Sequence, residues 1–356
     1  MVHFILLLAF AIATIKIRHK ENHNVALMIS FGVLFIFAAL RYDYGNDYWS
    51  YSQIYSGAKE GINVRGVEAL YYEINKWFPS YQVLIATLSL FYLCAVYKLI
   101  VKYVDGKYTW VSVLIFLINP YLFLMSLSAI RQILVVSLFI LSLMVNPAKK
   151  WAKAVLFAAT VGVSCFIHKT AILLLPFYFI YYGKKNIKRD YLVFGLTPIV
   201  LLLSSDVLWY LIDKVMQLFG NNINYMAHLE SGVSNSLRAT LLSAVIYIFV
   251  LMNLKRLDEK TYPLARFYLF GLMFALLAYR FSMMTRFQMY FDIFGIVTLP
   301  AIIKANSETH LSSAKQLIHR YLFPAAIFAI FVLRYYSFFT NDLWSSFAEY
   351  QTIIFK

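Results

Sequence analysis

The hydrophobic pattern of the chain consists of long apolar runs that alternate with short polar segments from end to end. A membrane-spanning helix needs ~20 mostly apolar residues, whereas a β-barrel strand would show short segments of alternating polarity. The pattern therefore predicts an all-α polytopic membrane protein. About twelve runs approach spanning length, at residues 2–17, 25–40, 80–101, 109–126, 128–146, 151–168, 170–183, 190–204, 238–254, 264–279, 287–304 and 320–336.

Two of the polar connections are long, residues 41–79 and 205–237, and each contains an amphipathic pattern. In the first connection, apolar residues recur at helical spacing at Val67, Leu70, Tyr71, Ile74, Trp77 and Phe78. In the second they recur at Val207, Leu208, Leu211, Ile212, Val215, Leu218 and Phe219. Such patterns are typical of helices that lie on a membrane surface. These helices would either roof a cavity or pack on the bundle.

Composition strengthens the membrane interpretation. Hydrophobic residues make up 62% of the chain and charged residues only 14%, against about a quarter in soluble domains. The formal net charge of +15 is spread along the flanks of the apolar runs. It therefore indicates membrane lipids, and not nucleic acid, as the partner. Cys94 and Cys165 lie inside apolar runs, which predicts neither a disulfide framework nor a metal site. We expect one integral membrane domain over residues 1–356.

The distribution of basic residues predicts the orientation of the chain. Alternate connections hold 20 of the 32 Lys and Arg residues but only 6 of the 17 Asp and Glu residues, at 16–24, 98–108, 147–153, 184–190, 255–266 and 304–320. Basic connections face the cytoplasm, so both termini and residues 41–79 and 205–237 are expected outside. No Lys or Arg precedes the first apolar run, which favours a retained helix over a signal peptide.

Residues Arg41–Tyr51 place a cation, two carboxylates and a glycine at the outer end of the second predicted span. Asp47, or else Asp43, can act as a general base if it lies within hydrogen-bond reach of a substrate hydroxyl. Alternatively, Asp43 simply pairs with Arg41. The faces of Tyr48 and Tyr51 can stack on sugar rings, although tyrosine is also enriched at membrane interfaces in general.

Further charges on the predicted outer side lie directly against apolar runs. An ionised group near mid-bilayer costs roughly 2.5–3.5 kcal/mol and usually faces a polar cavity or a partner. The residues concerned are Arg131, His168, Lys169, Arg280, Arg286 and Asp292. A cluster of arginines suits a lipid-linked diphosphate, because guanidinium groups bind phosphate oxygens bidentately. Each arginine alone could instead be a snorkelling boundary residue, as Lys169 could. Asp292 could be a structural partner of Arg286 or Arg280.

These residue types would support glycosyl transfer. A carboxylate would take the proton of the attacking hydroxyl, and arginines would stabilise the departing diphosphate. The predicted outer side has no Asp-x-Asp motif and no histidine cluster at ligand spacing. We therefore expect no metal and no other cofactor.

Four segments, in order, resemble motifs of the EpsG family of Wzy-type polysaccharide and O-antigen polymerases. They are Arg41-x-Asp43-x-Gly45-x-Asp47-Tyr48-x-x-Tyr51, Ser128-Ala-Ile-Arg131-Gln132, Phe166-Ile-His168-Lys169-Thr170 followed by Pro176, and Arg286-Phe-x-x-Tyr290-Phe291. The resemblance implies a fold of the class of multi-span glycosyltransferases that use lipid-linked sugars (GT-C-like). It also implies a bacterial inner-membrane enzyme with a periplasmic site. That enzyme would move a growing glycan from undecaprenyl diphosphate to the non-reducing end of a new lipid-linked repeat unit.

With this resemblance, each candidate residue receives an expected role. Asp47 is expected to be the base, with Asp43 as the second candidate, and His168 is expected to contact phosphate or a sugar hydroxyl. The expected diphosphate ligands are Arg41, Arg131, Arg280 and Arg286, of which Arg41 can instead orient Asp47. The expected groove residues are Tyr48, Tyr51, Gln132, Lys169 and Tyr290. The expected partners are the undecaprenyl-diphosphate-linked oligosaccharide, a flippase and a chain-length regulator.

Three other functions fit the residues in part. A transferase that uses a polyprenyl-phosphate sugar would add single sugars and leave the number of repeat units unchanged. A membrane O-acyltransferase would depend on a central histidine. A flippase or transporter would place its charges near mid-membrane on helices related by a repeat, and the sequence shows no such repeat.

Overall fold

The computed structural model of the protein describes residues 1–15, 20–145, 147–203, 210, 214, 236–281, 284–308 and 317–355. It is 80% helical, which agrees with the apolar runs. The α-helices are α1 (Val2–Thr14), α2 (Lys20–Leu40), α3 (Tyr48–Lys59), α4 (Ala69–Trp77), α5 (Tyr81–Tyr103), α6 (Thr109–Ile118), α7 (Ile130–Met144), α8 (Lys150–Cys165), α9 (Phe177–Tyr182), α10 (Ile187–Leu203), α11 (Leu237–Asn253), α12 (Tyr262–Leu277), α13 (Met284–Asp292), α14 (Gly295–Glu308) and α15 (Phe323–Phe339).

Short turns of helix connect these elements. The 3₁₀ segments are Val64–Gly66, Gly106–Tyr108, Met125–Leu127, Lys169–Leu174, Leu254–Arg256, Asp342–Phe347 and Ile353–Phe355, and Leu317–Leu322 is a π-helical segment. Within the described ranges, strands occur as a single antiparallel pair, β1 (Arg41–Tyr42) and β2 (Gln351–Thr352). Arg41 lies opposite Thr352 in this pair. The beginning of the candidate stretch is thus paired with a segment near the C-terminus.

The helices are those of an all-α membrane protein. Among the described residues, three helices are long and apolar enough to cross a bilayer, Tyr81–Tyr103, Leu237–Arg256 and Leu317–Phe339. A fourth span results if α13 and α14, which are bent by 55° relative to each other, cross together. Several further apolar helices are 10–17 residues long. The twelve-span topology and the outer location of the termini stay predictions.

One predicted span is not a continuous helix. The apolar run 109–126 forms α6 only as far as Ile118, and Asn119 then adopts an extended conformation with φ −86° and ψ 101°. The cause is Pro120, because the proline ring disfavours a helical conformation of the residue before it. A series of turns then leads to α7. These turns place Ser128 and Arg131 at the start of a new helix and not in the middle of one.

The short run 170–183 is also divided. Lys169–Leu174 forms a 3₁₀ helix, and α9 starts directly after Pro176. A proline at the beginning of a helix is favourable because its missing N–H has no partner there in any case.

The predicted outer connection 41–79 contains two helices. The amphipathic pattern correctly predicts α4, in which Tyr71 is buried, although Trp77 is 68% exposed. The sequence did not predict α3, which follows the candidate stretch directly. The second amphipathic pattern falls within 205–237, which lies outside the described residues except for positions 210, 214, 236 and 237.

The described residues form two compact units. The first comprises Met1–Gly183 and Phe331–Lys356, and the second comprises Lys184–Ile330. In the first unit, α2 packs against α1 and α5, α7 packs against α5 and α8, and α3 packs against α4. In its core the Phe116 ring contacts the rings of Phe31 and Phe123.

In the second unit, α12 packs against α10, α11, α13 and α14. A buried ion pair joins two of these helices, because Arg266 Nε lies 3.1 Å from Asp190 Oδ2. The Tyr262 hydroxyl donates a hydrogen bond of 2.7 Å to the same oxygen. Such a buried pair is favourable only where further hydrogen bonds satisfy the charges, and Tyr262 supplies one. This network fixes α10 against α12.

Candidate functional site

The turn after β1 depends on a glycine. Gly45 has φ +100° and Asp43 has φ +46°, a left-handed conformation that glycine adopts without a steric penalty. The Gly45 N–H donates a hydrogen bond to the Ser346 carbonyl at 3.3 Å. A Cβ atom at Gly45 would lie 3.5 Å from both Phe347 and Ser128. The turn directs the chain into α3, with Asp47 at the N-cap position.

Asp47 and the start of α7 meet at Ser128. The Asp47 backbone N–H donates to Ser128 Oγ at 3.0 Å, and the Ser128 hydroxyl lies 3.2 Å from Asp47 Oδ2, to which it can donate. Asp47 is exposed, whereas Ser128 is buried. The structure thus brings together two motifs that are distant in sequence and leaves the Asp47 carboxylate accessible.

Arg41 has a different environment from the one expected. Arg41 as a whole residue is only 1% exposed. It donates hydrogen bonds to the Ala38 carbonyl, to Ser89 Oγ at 3.0 Å and to the Leu127 carbonyl at 3.4 Å. All three acceptors are oxygen atoms of the protein. Arg41 therefore closes the end of α2 and joins it to α5 and to the turn before α7.

Arg131, His168 and Lys169 converge on one carboxylate, that of Glu68. Arg131 Nη1 donates to Glu68 Oε2 at 2.6 Å. The Lys169 backbone N–H donates to Glu68 Oε1 at 2.9 Å, and His168 Nδ1 lies 3.7 Å from the same oxygen. The side chains of Arg131, His168 and Glu68 are 25%, 16% and 10% exposed, respectively. Three segments of the chain thus meet at a partly accessible polar centre.

Glu68 is ionised in this environment. Burial opposes its ionisation, but the adjacent His168 ring, the Lys169 amide and the Arg131 charge outweigh burial and lower the pKa of the Glu68 carboxyl to about 2. Glu68 was not predicted as a site residue. It lies beside the apolar positions of the predicted amphipathic helix, and no local pattern distinguishes it from Glu73.

The predicted aromatic groove is only partly accessible. Tyr48 and Tyr51 are 4% and 8% exposed, and the Tyr51 ring centroid lies 6.0 Å from the Arg131 guanidinium. Tyr51 therefore packs beside the arginine and contributes little open surface. Trp49 is 49% exposed and makes an edge-to-face contact with Tyr42 at 5.7 Å. Trp49 is thus the accessible ring at this place.

A C-terminal segment, residues 342–352, covers the candidate stretch, although the sequence analysis gave it no role. Phe347 is fully buried and packs edge-to-face against Tyr44 at 5.3 Å. The Tyr350 hydroxyl donates to the Phe37 carbonyl at 2.7 Å. Together with the β1–β2 pair, these contacts hold the turn around Gly45 in place.

The remaining candidates show mixed accessibility. Gln132 is buried, at 6% exposure, and Lys169 is exposed. Arg280, Arg286 and Tyr290 belong to the second unit. The two arginines are exposed there, whereas Tyr290 is 1% exposed.

Asp292 also belongs to the second unit. It is buried, and its Oδ2 accepts a hydrogen bond of 2.5 Å from Gln288 Nε2. In the part of the chain that the structure describes, no three His, Cys, Asp or Glu side chains form a group that could hold a metal ion.

Comparison with known families gives a match over nearly the whole chain. The sequence model of the EpsG family matches residues 24–352, a range that contains all four motifs and β2. No curated protein and no solved structure matches the chain.

Proposed function

The chain belongs to the EpsG family, and we propose that it is a Wzy-type polysaccharide polymerase. In this reaction a growing glycan leaves undecaprenyl diphosphate and is joined to the non-reducing end of a new lipid-linked repeat unit. The product would be an O-antigen, a capsule or an exopolysaccharide. The observation that carries the proposal is that two separate motifs meet: Ser128 lies beside Asp47, and Arg131 lies beside Tyr51.

Asp47 has the properties of the general base. It is an exposed carboxylate at the start of α3, and Ser128 can orient one of its oxygens by a hydrogen bond. A base of this kind takes the proton of the attacking sugar hydroxyl as the new bond forms to the anomeric carbon. Asp43 is the second candidate and lies in the same turn.

Arg131 has the properties of a diphosphate ligand. Its side chain is one quarter exposed, and one of its five N–H donors is directed to Glu68. Donors fixed in place before the reaction stabilise the negative charge of the leaving diphosphate without reorganisation. His168 and the exposed Lys169 adjoin Arg131 through Glu68 and would contact phosphate or sugar hydroxyls. Arg280 and Arg286 are proposed as further diphosphate ligands.

The proposed location is the bacterial inner membrane, with about twelve spans and with the site and both termini on the periplasmic side. The asymmetry of basic residues supports this orientation. The lipid-linked substrate would arrive from a flippase, and a chain-length regulator would set the size of the product. The residues proposed for catalysis need no metal, because arginine supplies the positive charge.

The test is a deletion of the gene, followed by complementation, with the surface glycan separated by size on a gel. Loss of a polymerase leaves single repeat units on the lipid carrier or its acceptor, and the cloned gene restores the ladder. Loss of a flippase would leave no surface units. Loss of a single-sugar transferase would alter the repeat unit but not the number of units, and loss of an acyltransferase would keep full ladders without acyl groups.

A further inference from the structure

The Glu68 carboxylate is the point at which three segments of the first unit meet. One oxygen accepts a hydrogen bond from Arg131 Nη1 at 2.6 Å. The other accepts one from the Lys169 amide at 2.9 Å and lies 3.7 Å from His168 Nδ1. Glu68 precedes α4, Arg131 lies in the first turn of α7, and His168 follows α8. A single side chain therefore links the outer connection to two of the candidate motifs.

We propose that Glu68 is a positioning residue of glycan transfer. Its ionised carboxylate holds Arg131 and His168 in the arrangement that receives the lipid-linked diphosphate. The inference rests on the proposed polymerase function. It adds a role for a residue that no motif contains.

Arginine requires such a positioning group because its long side chain is flexible. An arginine with no partner loses much of its rotamer freedom when it is immobilised. A charged hydrogen bond to Glu68 and the adjacent rings of Tyr51 and Tyr71, at 6.0 and 5.9 Å, fix Arg131 before substrate binds. Hydrogen-bond donors fixed in advance give the largest stabilisation of a developing charge.

The same carboxylate influences His168. Glu68 Oε1 lies 3.7 Å from His168 Nδ1, which is beyond hydrogen-bond distance, so the carboxylate acts on the ring through its charge. Glu68 itself is a poor base, since it stays ionised in all but strong acid. Its effect on the reaction is therefore indirect.

The backbone around Glu68 is also held without the carboxylate. The N–H groups of Leu70 and Tyr71 both donate to the Phe166 carbonyl, at 3.0 and 3.3 Å. This pair of hydrogen bonds fixes the start of α4 against the residues that precede His168. Neutralising Glu68 should therefore leave the segment folded, so that a loss of activity can be separated from a loss of structure.

The experiment uses the full-length protein in membrane vesicles. As substrate, the vesicles receive the lipid-linked single repeat units that accumulate in the deletion strain. Glu68→Gln keeps the shape and removes the charge. We expect chain extension to fall by about tenfold to a hundredfold, which corresponds to the loss of one charged hydrogen bond. Glu68→Asp should retain part of the activity.

The matched control is Glu73→Gln. Glu73 lies in α4 and is half exposed, and its partner is Lys76 at 2.8 Å. It is the same residue type as Glu68, on the helix that follows it, and its ion pair is with Lys76 and not with either candidate motif. This variant should extend chains as the wild-type protein does.

Chemical rescue separates positioning from folding. Formate should restore part of the extension rate to Glu68→Ala, because a small carboxylate can occupy the vacated place between Arg131 and His168. It should not restore Arg131→Ala. Wild-type activity of Glu68→Gln, or an inserted Glu68→Ala protein that formate does not improve, would overturn the inference. If the deletion strain accumulates no single repeat units, the proposed function fails instead.

Discussion

The Ser128 hydroxyl connects the start of α7 to Asp47, with its oxygen 3.0 Å from the Asp47 backbone nitrogen and 3.2 Å from Asp47 Oδ2. One side chain thus fixes both the backbone and the carboxylate of the proposed base. It also joins that base to the segment that carries Arg131, three residues further along the chain. The first prediction concerns this contact.

Ser128→Ala should lower chain extension about fivefold to tenfold, because one hydrogen bond is worth about 1 kcal/mol and its loss frees the Asp47 carboxylate to rotate. Extension of lipid-linked repeat units in vesicles measures the effect. Ser142→Ala is the control, because Ser142 is also buried in α7 but donates to the Phe139 carbonyl of its own helix. Equal losses in both variants would argue against a role of the Ser128–Asp47 contact.

Asp47→Asn should abolish extension to the level of the deletion strain. A general base contributes about a hundredfold or more to the rate, and an amide cannot take the proton. The size distribution of the surface glycan measures the outcome, with the amount of inserted protein determined in parallel. Asp43→Asn tests the second candidate, and its fold should survive because asparagine tolerates the left-handed conformation of that position.

The control for both variants is Asp342→Asn. Asp342 is an exposed acid in the C-terminal segment that packs on the candidate stretch. Full ladders from inserted Asp47→Asn protein would show that Asp47 is not the base. A loss confined to Asp43→Asn would assign that role to Asp43.

Gly45→Ala should destabilise the first unit by about 1–2 kcal/mol, which is the typical cost of a left-handed conformation for a residue with a Cβ atom. The new methyl group itself meets only ordinary contacts at 3.5 Å, so the cost comes from the backbone. The unfolding midpoint of the detergent-solubilised protein measures it. Gly32→Ala is the matched control, since Gly32 lies in α2 with nothing within 4 Å of the added Cβ. That substitution should be neutral or slightly stabilising.

The pH dependence of stability should reveal the Glu68 ion pairs. The pKa of Glu68 is lowered from its ordinary value of 4.5 to about 2 in the folded protein. A lowered pKa means that the carboxylate stabilises the fold fully above about pH 4.5 and loses this effect as the pH falls toward 2. The unfolding midpoints of the wild-type protein and Glu68→Gln should therefore converge over this interval. A constant difference between them would contradict the assigned ion pairs.

The sequence predicted the helices well because a membrane helix depends on a local property, the length of an apolar run. It failed where a single residue interrupts such a run, as at Asn119 before Pro120, which ends α6. The periodic apolar positions of residues 67–78 predicted α4. Residues 48–59 of α3 also place Tyr48, Tyr51, Ile54 and Ala58 at helical spacing. The tyrosines were interpreted as possible sugar contacts instead, so α3 was not predicted.

The candidate site was predictable only in part. The four motifs identified Asp47, Arg131 and His168, because charges at the ends of apolar runs are conspicuous. Glu68 has no such signal, since its role arises from contacts with residues far away in sequence. The burial of Arg41 could not be predicted either. An arginine that follows an apolar run can be buried or accessible, and the local sequence is the same in both cases.

The final prediction concerns the side of the membrane on which the site lies. β2 pairs with β1, and the Tyr350 hydroxyl bonds to the Phe37 carbonyl at 2.7 Å, so residue 355 and the candidate stretch must share one side. Phe355 is 86% exposed, so a cysteine introduced at this position can be labelled. The two native cysteines are replaced in the same protein (Cys94→Ser, Cys165→Ser). A membrane-impermeant maleimide applied to spheroplasts should modify Phe355→Cys before lysis, because the basic connections predict that this side lies outside.

Lys107→Cys is the control for that labelling, since Lys107 is exposed in the connection 98–108 that is predicted to be cytoplasmic. It should react only after lysis. If instead Lys107→Cys reacts before lysis and Phe355→Cys only after it, Asp47 and Arg131 would lie on the cytoplasmic face. Lipid-linked repeat units are present on that face before they are flipped. The proposed polymerase acts after that step, so this outcome would require a different reaction at the same residues. Labelling thus tests the orientation independently of any loss of activity.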